Sequence, residues 1–333
     1  MSRRPIDVLT LGNAIVDVLA PTEDAFLVAQ KLAKGSMRLI DEARAEELYR
    51  VMGQVTIMSG GSAANTAAGV ASLGGKAAFI GKVRNDELGE LYARDLVAIG
   101  VKFDVAPATE GPATARSFIL ITPDGERTMN TYLGACQNLT PDDIKPEIVK
   151  ASSVIYLEGY LWDPPLAKEA FRKAVEIAHE DGNRIAMTLS DTFCVDRYRD
   201  EFLTLIRDGS IDILFANTHE LRSLYQTASE EAALEAFREE RVLGVITRSE
   251  QGALVVMHGE TRSVPAHTVD RVVDTTGAGD LFAAGFLTGL TQGRDLLDCA
   301  RLGGLAAAEV ISHVGPRPQV SLKDLAQQNA LLD

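Results

Sequence analysis

Short apolar runs alternate with amphipathic stretches of helical periodicity along most of the chain. Apolar runs of this length predict buried strands, and the longer periodic stretches predict helices. Strands that alternate with helices need crossover connections, so we expect an α/β fold with a mostly parallel sheet covered on both faces. The predicted strands lie near residues 6–12, 77–83, 153–158, 184–190, 211–216 and 242–247, and the predicted helices near 62–73, 87–99, 164–181, 195–208, 218–239 and 295–312.

Residues 103–134 break this alternation and predict a β-hairpin. The tripeptide Pro123-Asp124-Gly125 stands between the strand-like runs ILIT and ERTMNTY, and it favours a tight turn. Together with the segment after Asp17, this hairpin is expected to form a small sheet that stands off the main layer. A sheet in that position can close over a binding site.

The charge balance and the cysteines exclude several classes of protein. The 333 residues carry 33 basic and 47 acidic side chains, a net charge of −14, whereas a nucleic-acid clamp needs a basic surface. Cys136, Cys194 and Cys299 contain no CxxC pair, which argues against a disulfide framework or a zinc ribbon and favours a reducing, cytoplasmic location. Asp7 and Gly12 interrupt the N-terminal apolar run, so it predicts a strand rather than a signal or membrane-spanning segment.

The sequence DTTGAGD at residues 274–280 predicts an anion site at the start of a helix. The β-branched residues within 269–273 predict a strand that leads into it. Free N–H groups and the helix dipole favour an anion there, and Gly277 and Gly279 let a phosphate approach the backbone closely. Asp280 would repel that anion, so it fits better as a base that takes a proton from an attacking hydroxyl. The alternative is an ordinary helix start with a favourable acidic residue.

A second glycine pair, Gly60 and Gly61, also precedes a helical pattern. No lysine follows at the spacing of a Walker loop, so this segment is not predicted to hold nucleotide phosphates in that way. Asn65 lies one helical turn from Ser62, and both could face a polar ligand together with the glycine backbone. The alternative is a helix whose small residues allow close packing on the sheet.

Polar side chains follow two further predicted strands. Asn13 and Asp17 come after the first strand, where a carboxylate can accept hydrogen bonds from vicinal hydroxyls. Asn217 and Glu220 follow the strand near 211–216, and Glu220 could hold a hydrated Mg²⁺. The alternatives are an Asx-turn with a solvated aspartate in the first case and a helix cap in the second.

Together these segments resemble the ribokinase/PfkB family of sugar and nucleoside kinases. Residues 60–89 are similar to the family's first signature, residues 274–280 to its second, and Asn217 with Glu220 to its NxxE element. The order and spacing agree over nearly the whole chain. The resemblance implies a ribokinase-like three-layer α/β/α core with a mostly parallel sheet, a small β-sheet lid, and phosphoryl transfer from ATP to an alcohol.

The expected architecture has two structural parts, and its lid sheet could serve as a dimer interface. An apolar outer face of the lid sheet would offer the interface of a homodimer. The core, which binds nucleotide and substrate, would comprise residues 1–14, 40–102 and 136–333, and the small β lid residues 15–39 and 103–135.

The resemblance also implies roles in phosphoryl transfer. Asp280 would be the catalytic base on the substrate hydroxyl. The backbone amides beside it would form the anion hole for the γ-phosphoryl group, and these belong to Gly277, Ala278 and Gly279.

Further positions resemble the family's nucleotide and cation sites. Asn217 and Glu220 would organise Mg²⁺ and the ATP phosphates, mostly through water. Thr247 to Gly252 resembles the nucleotide loop, and Arg127 resembles a lid arginine that contacts phosphate. A monovalent-cation site, for K⁺ in some members, would use Asp274, Thr276 and the backbone near 310–315.

Within the family, the first hundred residues are most similar to the adenosine kinase branch. That similarity implies that Asp17 holds the ribose 2′- and 3′-hydroxyls, with Gly61, Ser62 and Asn65 around the sugar. A purine would need an apolar slot, and the alternative for its residues is ordinary core and hairpin packing. The positions similar to that slot are Met129, Thr131, Leu133 and Phe193.

The expected reaction is therefore transfer of the γ-phosphoryl group of ATP to the 5′-hydroxyl of a purine nucleoside, with adenosine favoured. Two alternatives stay open, namely a kinase of ribose or fructose and a non-catalytic nucleoside sensor on the same fold. A binding module has no need for a base beside an anion hole, which disfavours the sensor. The expected partners are small molecules, with neither nucleic acid nor membrane.

Overall fold

The structure is a computed structural model that describes residues 4–332. Its elements follow each other largely in the alternation that the sequence predicts. The strands are β1 (Ile6–Leu11), β2 (Ile15–Pro21), β3 (Met37–Leu39), β4 (Thr56–Gly60), β5 (Ala77–Ile80), β6 (Lys102–Phe103), β7 (Ala115–Ile121), β8 (Arg127–Tyr132), β9 (Ser152–Glu158), β10 (Arg184–Thr188), β11 (Ile213–Asn217), β12 (Leu243–Thr247), β13 (Ala253–Met257) and β14 (Glu260–Val264). The helices are α1 (Asp24–Ala29), α2 (Glu42–Val51), α3 (Ser62–Ser72), α4 (Glu87–Ala98), α5 (Pro146–Lys150), α6 (Pro165–Glu180), α7 (Thr192–Arg207), α8 (Thr218–Leu224), α9 (Glu230–Arg238), α10 (Ala278–Thr291), α11 (Leu296–Val310) and α12 (Leu322–Gln328).

A nine-stranded sheet forms the middle layer, in the order β14-β13-β12-β11-β10-β9-β1-β5-β6. The pairs from β12 to β6 are parallel, and only β13 and β14 run antiparallel to their neighbours. Every residue of β1 is buried, as expected for a central strand covered on both faces. The predicted mostly parallel α/β sheet is confirmed.

Helices cover both faces of this sheet. Alternate residues of β1 point to opposite faces, so Val8 belongs to one hydrophobic core and Leu9 to the other. The first core contains side chains of α3, α4, α10 and α11, and the second contains side chains of α6 to α9. Within residues 4–332, no helix combines the length and the apolar character needed to cross a bilayer.

A second, five-stranded sheet has the order β3-β8-β7-β2-β4, and we call it the small sheet. Its β7–β8 hairpin turns at Pro123-Asp124-Gly125, where Gly125 has a φ of +85°. The small sheet includes residues 56–60, which the expected boundaries give to the core, whereas Phe103 pairs in the large sheet rather than in the lid. The division into core and lid at the expected residues stays a prediction.

Two local predictions are wrong. Residues 269–273 form no strand, because Val272 and Val273 are exposed and the Val273 N–H donates to the Ile311 carbonyl instead of a neighbouring strand. The helix predicted over 218–239 is two helices, since α8 ends at Leu224 and Ser229 caps α9 by accepting a hydrogen bond from the backbone N–H of Ala232.

Candidate active site

A cavity of about 590 Å³ opens where the carboxyl ends of the parallel strands meet the small sheet. Ligand sites are expected at this edge of a parallel sheet. Most of the predicted site residues line the cavity, and the exceptions are Gly60, Arg127, Gly252 and Asp274. Those that line it are Asn13, Asp17, Gly61, Ser62, Asn65, Met129, Thr131, Leu133, Phe193, Asn217, Glu220, Thr247, Thr276, Gly277, Ala278, Gly279 and Asp280.

Asp280 lies partly buried in the first turn of α10 and is held by two donors from α3. The Ser62 hydroxyl donates to Oδ1 at 2.6 Å, and the Asn65 amide Nδ2 donates to Oδ2 at 3.0 Å. Burial raises the pKa of Asp280, and the two donors oppose that rise because they stabilise the ionised form. Since a carboxylate can accept about four hydrogen bonds, Asp280 keeps acceptor capacity for a substrate hydroxyl.

The loop before α10 has the geometry of an anion site. Gly277 takes the left-handed conformation, with φ of +82°, and a Cβ there would lie 2.6 Å from the Pro316 carbonyl oxygen. The Ala278 amide donates to the Thr275 carbonyl at 3.2 Å. Among the described residues, none accepts from the amides of Gly277 and Gly279, so these two point to an anion more directly than Ala278 does.

Asp17, on β2, is a carboxylate without a protein donor. It is 8% exposed, lines the cavity, and receives no hydrogen bond to its side chain from residues 4–332. Burial raises its pKa to about 7, although the positive charges of Arg317 and Arg127 oppose this rise. Gly60 makes room for it, since a Cβ at that position would lie 2.3 Å from Asp17 Oδ2.

Glu158, at the end of β9, is a cavity residue that the sequence analysis missed. Its carboxylate accepts from the Asn13 backbone N–H at 3.2 Å, from Asn13 Nδ2 at 2.9 Å and from the Ala63 N–H at 2.8 Å. Burial raises its pKa to about 7 against these three donors. The available signal was an acidic residue closing the apolar run 153–157, which is the same pattern that marked Asn13 after β1.

Asn217 and Glu220 form a reciprocal cap at the start of α8. The Asn217 side chain accepts from the Glu220 N–H, and Glu220 accepts from the Asn217 backbone N–H at 3.0 Å and from its Nδ2 at 2.5 Å. Both residues also line the cavity, so the cap and the predicted binding role coexist. Burial raises the pKa of Glu220 to about 7.

The donor set fits a hydrated Mg²⁺ rather than one caged by the protein. No cluster of three or more His, Cys, Asp or Glu side chains suited to a metal occurs within residues 4–332. Mg²⁺ keeps several waters and needs only one or two carboxylates when it arrives with nucleotide phosphates. Glu220 can meet that need through water.

An arginine binds the two side chains that were expected to hold a monovalent cation. Arg127, at the start of β8, forms an ion pair with Asp274 and donates to Thr276 Oγ1 at 3.1 Å. Asp274 also accepts from the Thr276 N–H at 3.0 Å and the Gly315 N–H at 2.8 Å. These side chains therefore do not fit K⁺, because a guanidinium already supplies the positive charge there.

Apolar side chains of the small sheet form one wall of the cavity. Met129 and Leu133 were predicted, whereas Met37 and Leu39 on β3 were missed because a three-residue edge strand has no periodic signal. Phe193 also lines the cavity and is exposed. A guanidinium, that of Arg197, lies 4.5 Å from the centre of its ring.

The two residues predicted to bind nucleotide in the loop 247–252 differ in their position relative to the cavity. Thr247 lines the cavity, whereas Gly252 does not. Gly252 serves the β12–β13 hairpin instead, with φ of +87° and no space for a Cβ, which would lie 2.1 Å from the Val264 carbonyl oxygen.

A carboxylate next to unpaired helix-start amides, at the carboxyl edge of a covered parallel sheet, is the arrangement of an enzyme that deprotonates an alcohol for phosphoryl transfer. The sequence supports the same class. Residues 32–322 match the pfkB family of carbohydrate kinases, and the chain belongs to that family. It is a phosphotransferase with an alcohol group as acceptor.

Solved and characterised relatives cover almost the whole chain. A probable sugar kinase from Rhizobium etli CFN 42 is 53% identical, covers 100% of both chains and superposes with a TM-score of 0.93. The adenosine kinase from Sinorhizobium meliloti is 54% identical over 98% of this chain and 100% of that chain, with a TM-score of 0.91. The adenosine kinase of Saccharomyces cerevisiae is 26% identical over 92% of this chain and 95% of that protein. The chain is thus an adenosine kinase-like pfkB kinase.

Proposed function

We propose that this enzyme transfers the γ-phosphoryl group of ATP to the 5′-hydroxyl of a purine nucleoside, with adenosine as the preferred acceptor. The names of the relatives from Sinorhizobium meliloti and Saccharomyces cerevisiae support adenosine. The proposal includes a cytoplasmic location and ATP carried with Mg²⁺. The small sheet acts as the lid that excludes water during transfer.

Asp17 is the observation that carries the proposal. Asp17 is buried and accepts no side-chain hydrogen bond from residues 4–332, which is unfavourable unless a ligand supplies donors, and vicinal hydroxyls supply two. The apolar wall formed by Met37, Leu39, Met129 and Leu133 faces the same cavity. A nucleoside satisfies both features, because its ribose hydroxyls reach the carboxylate and its base covers the apolar side chains.

Asp280 acts as the general base in this proposal. The acceptor hydroxyl donates to the carboxylate, and its proton passes to Asp280 as the oxygen attacks the γ-phosphorus. The bond from the γ-phosphorus to the β,γ-bridging oxygen breaks, and ADP leaves. The amides of Gly277 and Gly279 bind the phosphoryl oxygens. Glu220 would hold a hydrated Mg²⁺ through water, and that ion would neutralise charge on the phosphates. Catalysis then comes mainly from positioning and charge stabilisation.

Phosphorylation of a free sugar is the second candidate. The relative from Rhizobium etli is called a probable sugar kinase, and such a kinase needs the same base and anion site. A free ribose or fructose supplies hydroxyls for Asp17 but leaves the apolar wall uncovered. The wall therefore favours the nucleoside.

Turnover of a defined acceptor panel tests the proposal. Formation of ADP is measured with Mg²⁺-ATP and adenosine, guanosine, inosine, ribose or fructose, for the natural protein and for Asp280→Asn. We expect adenosine to give the highest kcat/KM and Asp280→Asn to lower kcat by at least about 100-fold, because a general base contributes that much. Turnover of ribose or fructose alone would replace the nucleoside proposal with the sugar kinase.

A matched variant controls for the loss of a carboxylate as such. Asp270 is exposed and precedes the same loop, outside the cavity. Asp270→Asn should leave kcat and KM unchanged. If Asp280→Asn turned adenosine over at the natural rate, Asp280 would not be the base.

A further inference from the structure

Arg317 contacts residues next to the active-site carboxylates without itself lining the cavity. It lies in the loop after α11, next to Pro316, which packs on Gly277. Its guanidinium donates from Nε to Asn65 Oδ1 at 3.3 Å and from Nη1 to Ser59 Oγ at 2.5 Å. Nη2 is buried without a hydrogen-bond partner. The guanidinium therefore restrains the side chains of both Asn65 and Ser59.

The contacts with Arg317 and with Asp280 together fix which way the Asn65 amide faces. A guanidinium only donates, so it must meet the amide oxygen of Asn65. The Nδ2 group then points to Asp280 Oδ2, where it donates at 3.0 Å. A flipped amide would place Oδ1 against the carboxylate and set two acceptors against each other. The chain Arg317 to Asn65 to Asp280 is therefore directional.

We propose that Arg317 is a positioning residue for the phosphoryl-transfer reaction: it fixes the Asn65 amide so that Asp280 keeps a donor on Oδ2. This rests on the proposed function only in taking Asp280 as the base. The donor stabilises the ionised carboxylate, which is the form that accepts the acceptor's proton. Without Arg317, the Asn65 amide is held only by Asp280, so we expect its contact with Oδ2 to loosen and Asp280 to hold its proton up to a higher pH.

Arg317 also supplies positive charge near Asp17. Its charge opposes the burial that raises the Asp17 pKa, and the charge of Arg127 acts in the same direction. Ser59, the second acceptor of Arg317, pairs on β4 with Val16, which precedes Asp17. The arginine is thus anchored beside both carboxylates. The charged and titratable groups that interact electrostatically with these two carboxylates are Arg127, Arg317, Tyr92, Tyr156, Glu158 and Tyr160.

The test compares kcat, KM and the pH profile of Arg317→Gln with those of the natural protein. These are measured as the rate of ADP formation with Mg²⁺-ATP and the best acceptor of the panel. We expect kcat near pH 7 to fall about tenfold, because a hydrogen bond to a charged group is lost. The KM for ATP should not change. The acidic limb of the kcat profile should move about one unit to higher pH, a shift that a merely structural role would not produce.

Two further variants separate charge and orientation from general damage. Arg317→Lys keeps the charge and can reach one of the two acceptors, so its kcat should lie between those of Arg317→Gln and the natural protein. Arg301→Gln is the control, because Arg301 is half-exposed on α11 and pairs only with Asp298. It should leave kcat and the pH profile unchanged.

A double-mutant cycle with Asn65→Ala tests the route. If Arg317 acts through Asn65, Arg317→Gln should lower kcat little further in the Asn65→Ala background. An equal loss in both backgrounds, or an acidic limb that does not move, would overturn the proposal.

The proposal can fail separately from the proposed function. If Asp280→Asn abolishes turnover while Arg317→Gln has no effect, only the role of Arg317 is wrong. If no acceptor on the panel is turned over, the ¹³C shift of the Asp280 carboxyl carbon, followed against pH, tests the same link. A titration midpoint that is unchanged in Arg317→Gln would contradict it.

Discussion

At Asp17, the negative charge that would bind a ligand also lowers the stability of the folded protein. Its pKa of about 7, against about 4 in an unfolded chain, means that the folded protein holds a proton that the unfolded chain releases. The free energy of unfolding therefore falls as pH rises from about 4 to 7, by at most about 4 kcal/mol for this group. The hydroxyls of a bound nucleoside would donate hydrogen bonds to the carboxylate in place of the water that burial removes.

Asp17→Asn should thus raise stability while it damages binding. We expect a higher Tm than that of the natural protein at pH 8, and a difference that is much smaller near pH 5 and vanishes below about pH 4, where the carboxyl is protonated in both the folded and the unfolded chain. The KM for the acceptor should rise at least about tenfold, because one charged acceptor of hydroxyl hydrogen bonds is lost. The KM for ATP should stay the same. Calorimetry at both pH values and steady-state kinetics give these quantities.

The Asp17 prediction has a clear control and a clear contradiction. Asp270→Asn removes an exposed carboxylate and should not change Tm at either pH. If Asp17→Asn melted below the natural protein at pH 8, the buried charge would be stabilised in the fold rather than tolerated for a ligand.

The residues found from sequence stand in short motifs that can be recognised alone, whereas those missed gain their role only through contacts with distant segments. Asp280 and Gly277 sit in one short segment, so spacing alone marked them. Glu158 acts on Asn13, 145 positions away, and Arg317 acts on Asn65, 252 positions away. Only the assembled sheet brings such partners together, and no local pattern encodes that distance.

At the scale of elements, the start of α10 depends on Gly277. This glycine combines a left-handed backbone with contact against Pro316, so a side chain meets both strain and a clash. Gly293, just after the other end of α10, has a similar φ of +77° but nothing within 4 Å of a Cβ. Substitutions at Gly277 and Gly293 can therefore be compared to distinguish the effect of backbone strain from that of displacing the anion site.

Gly277→Ala and Gly293→Ala should therefore differ in catalysis. Each alanine should lower the free energy of unfolding by about 1 kcal/mol through its backbone conformation. Only Gly277→Ala should lower kcat, by at least about tenfold, because the amides move away from the phosphoryl group. Urea unfolding and steady-state kinetics measure the two effects. An equal loss of kcat in both variants would show that the anion site does not depend on this contact.

Elements were predictable where burial on both faces leaves a continuous apolar run, as in β1 and β9. The segment 269–273 was predicted wrongly because its β-branched residues, such as Val272, occupy an exposed loop between β14 and α10. Strand β4 was missed because only one end of Thr56–Gly60 is buried, so its sequence lacks a clear alternation. The β-strand propensity of a residue depends on its burial, and tertiary contacts decide which residues are buried.

At the scale of the whole molecule, an acceptor in the cavity would touch the small sheet and the helices that cover the large sheet at once. Asp17 belongs to the small sheet, whereas Asp280 and Asn65 lie on helices that cover the large sheet. On β3, at the edge of the small sheet, Met37 and Leu39 are 49% and 52% exposed although they line the cavity. A bound base would cover them and join the two sheets.

Hydrogen exchange followed by mass spectrometry can detect that coupling. Saturating adenosine should slow exchange in β3 and in the β7–β8 hairpin, because opening of the small sheet would then require loss of the ligand. The β13–β14 hairpin, at the far edge of the large sheet, should exchange as before and serves as the internal control. Asp17→Asn at the same adenosine concentration should remove the protection. Protection spread evenly over both sheets would mean that binding stabilises the molecule as one unit, and the small sheet would then have no separate role as a lid.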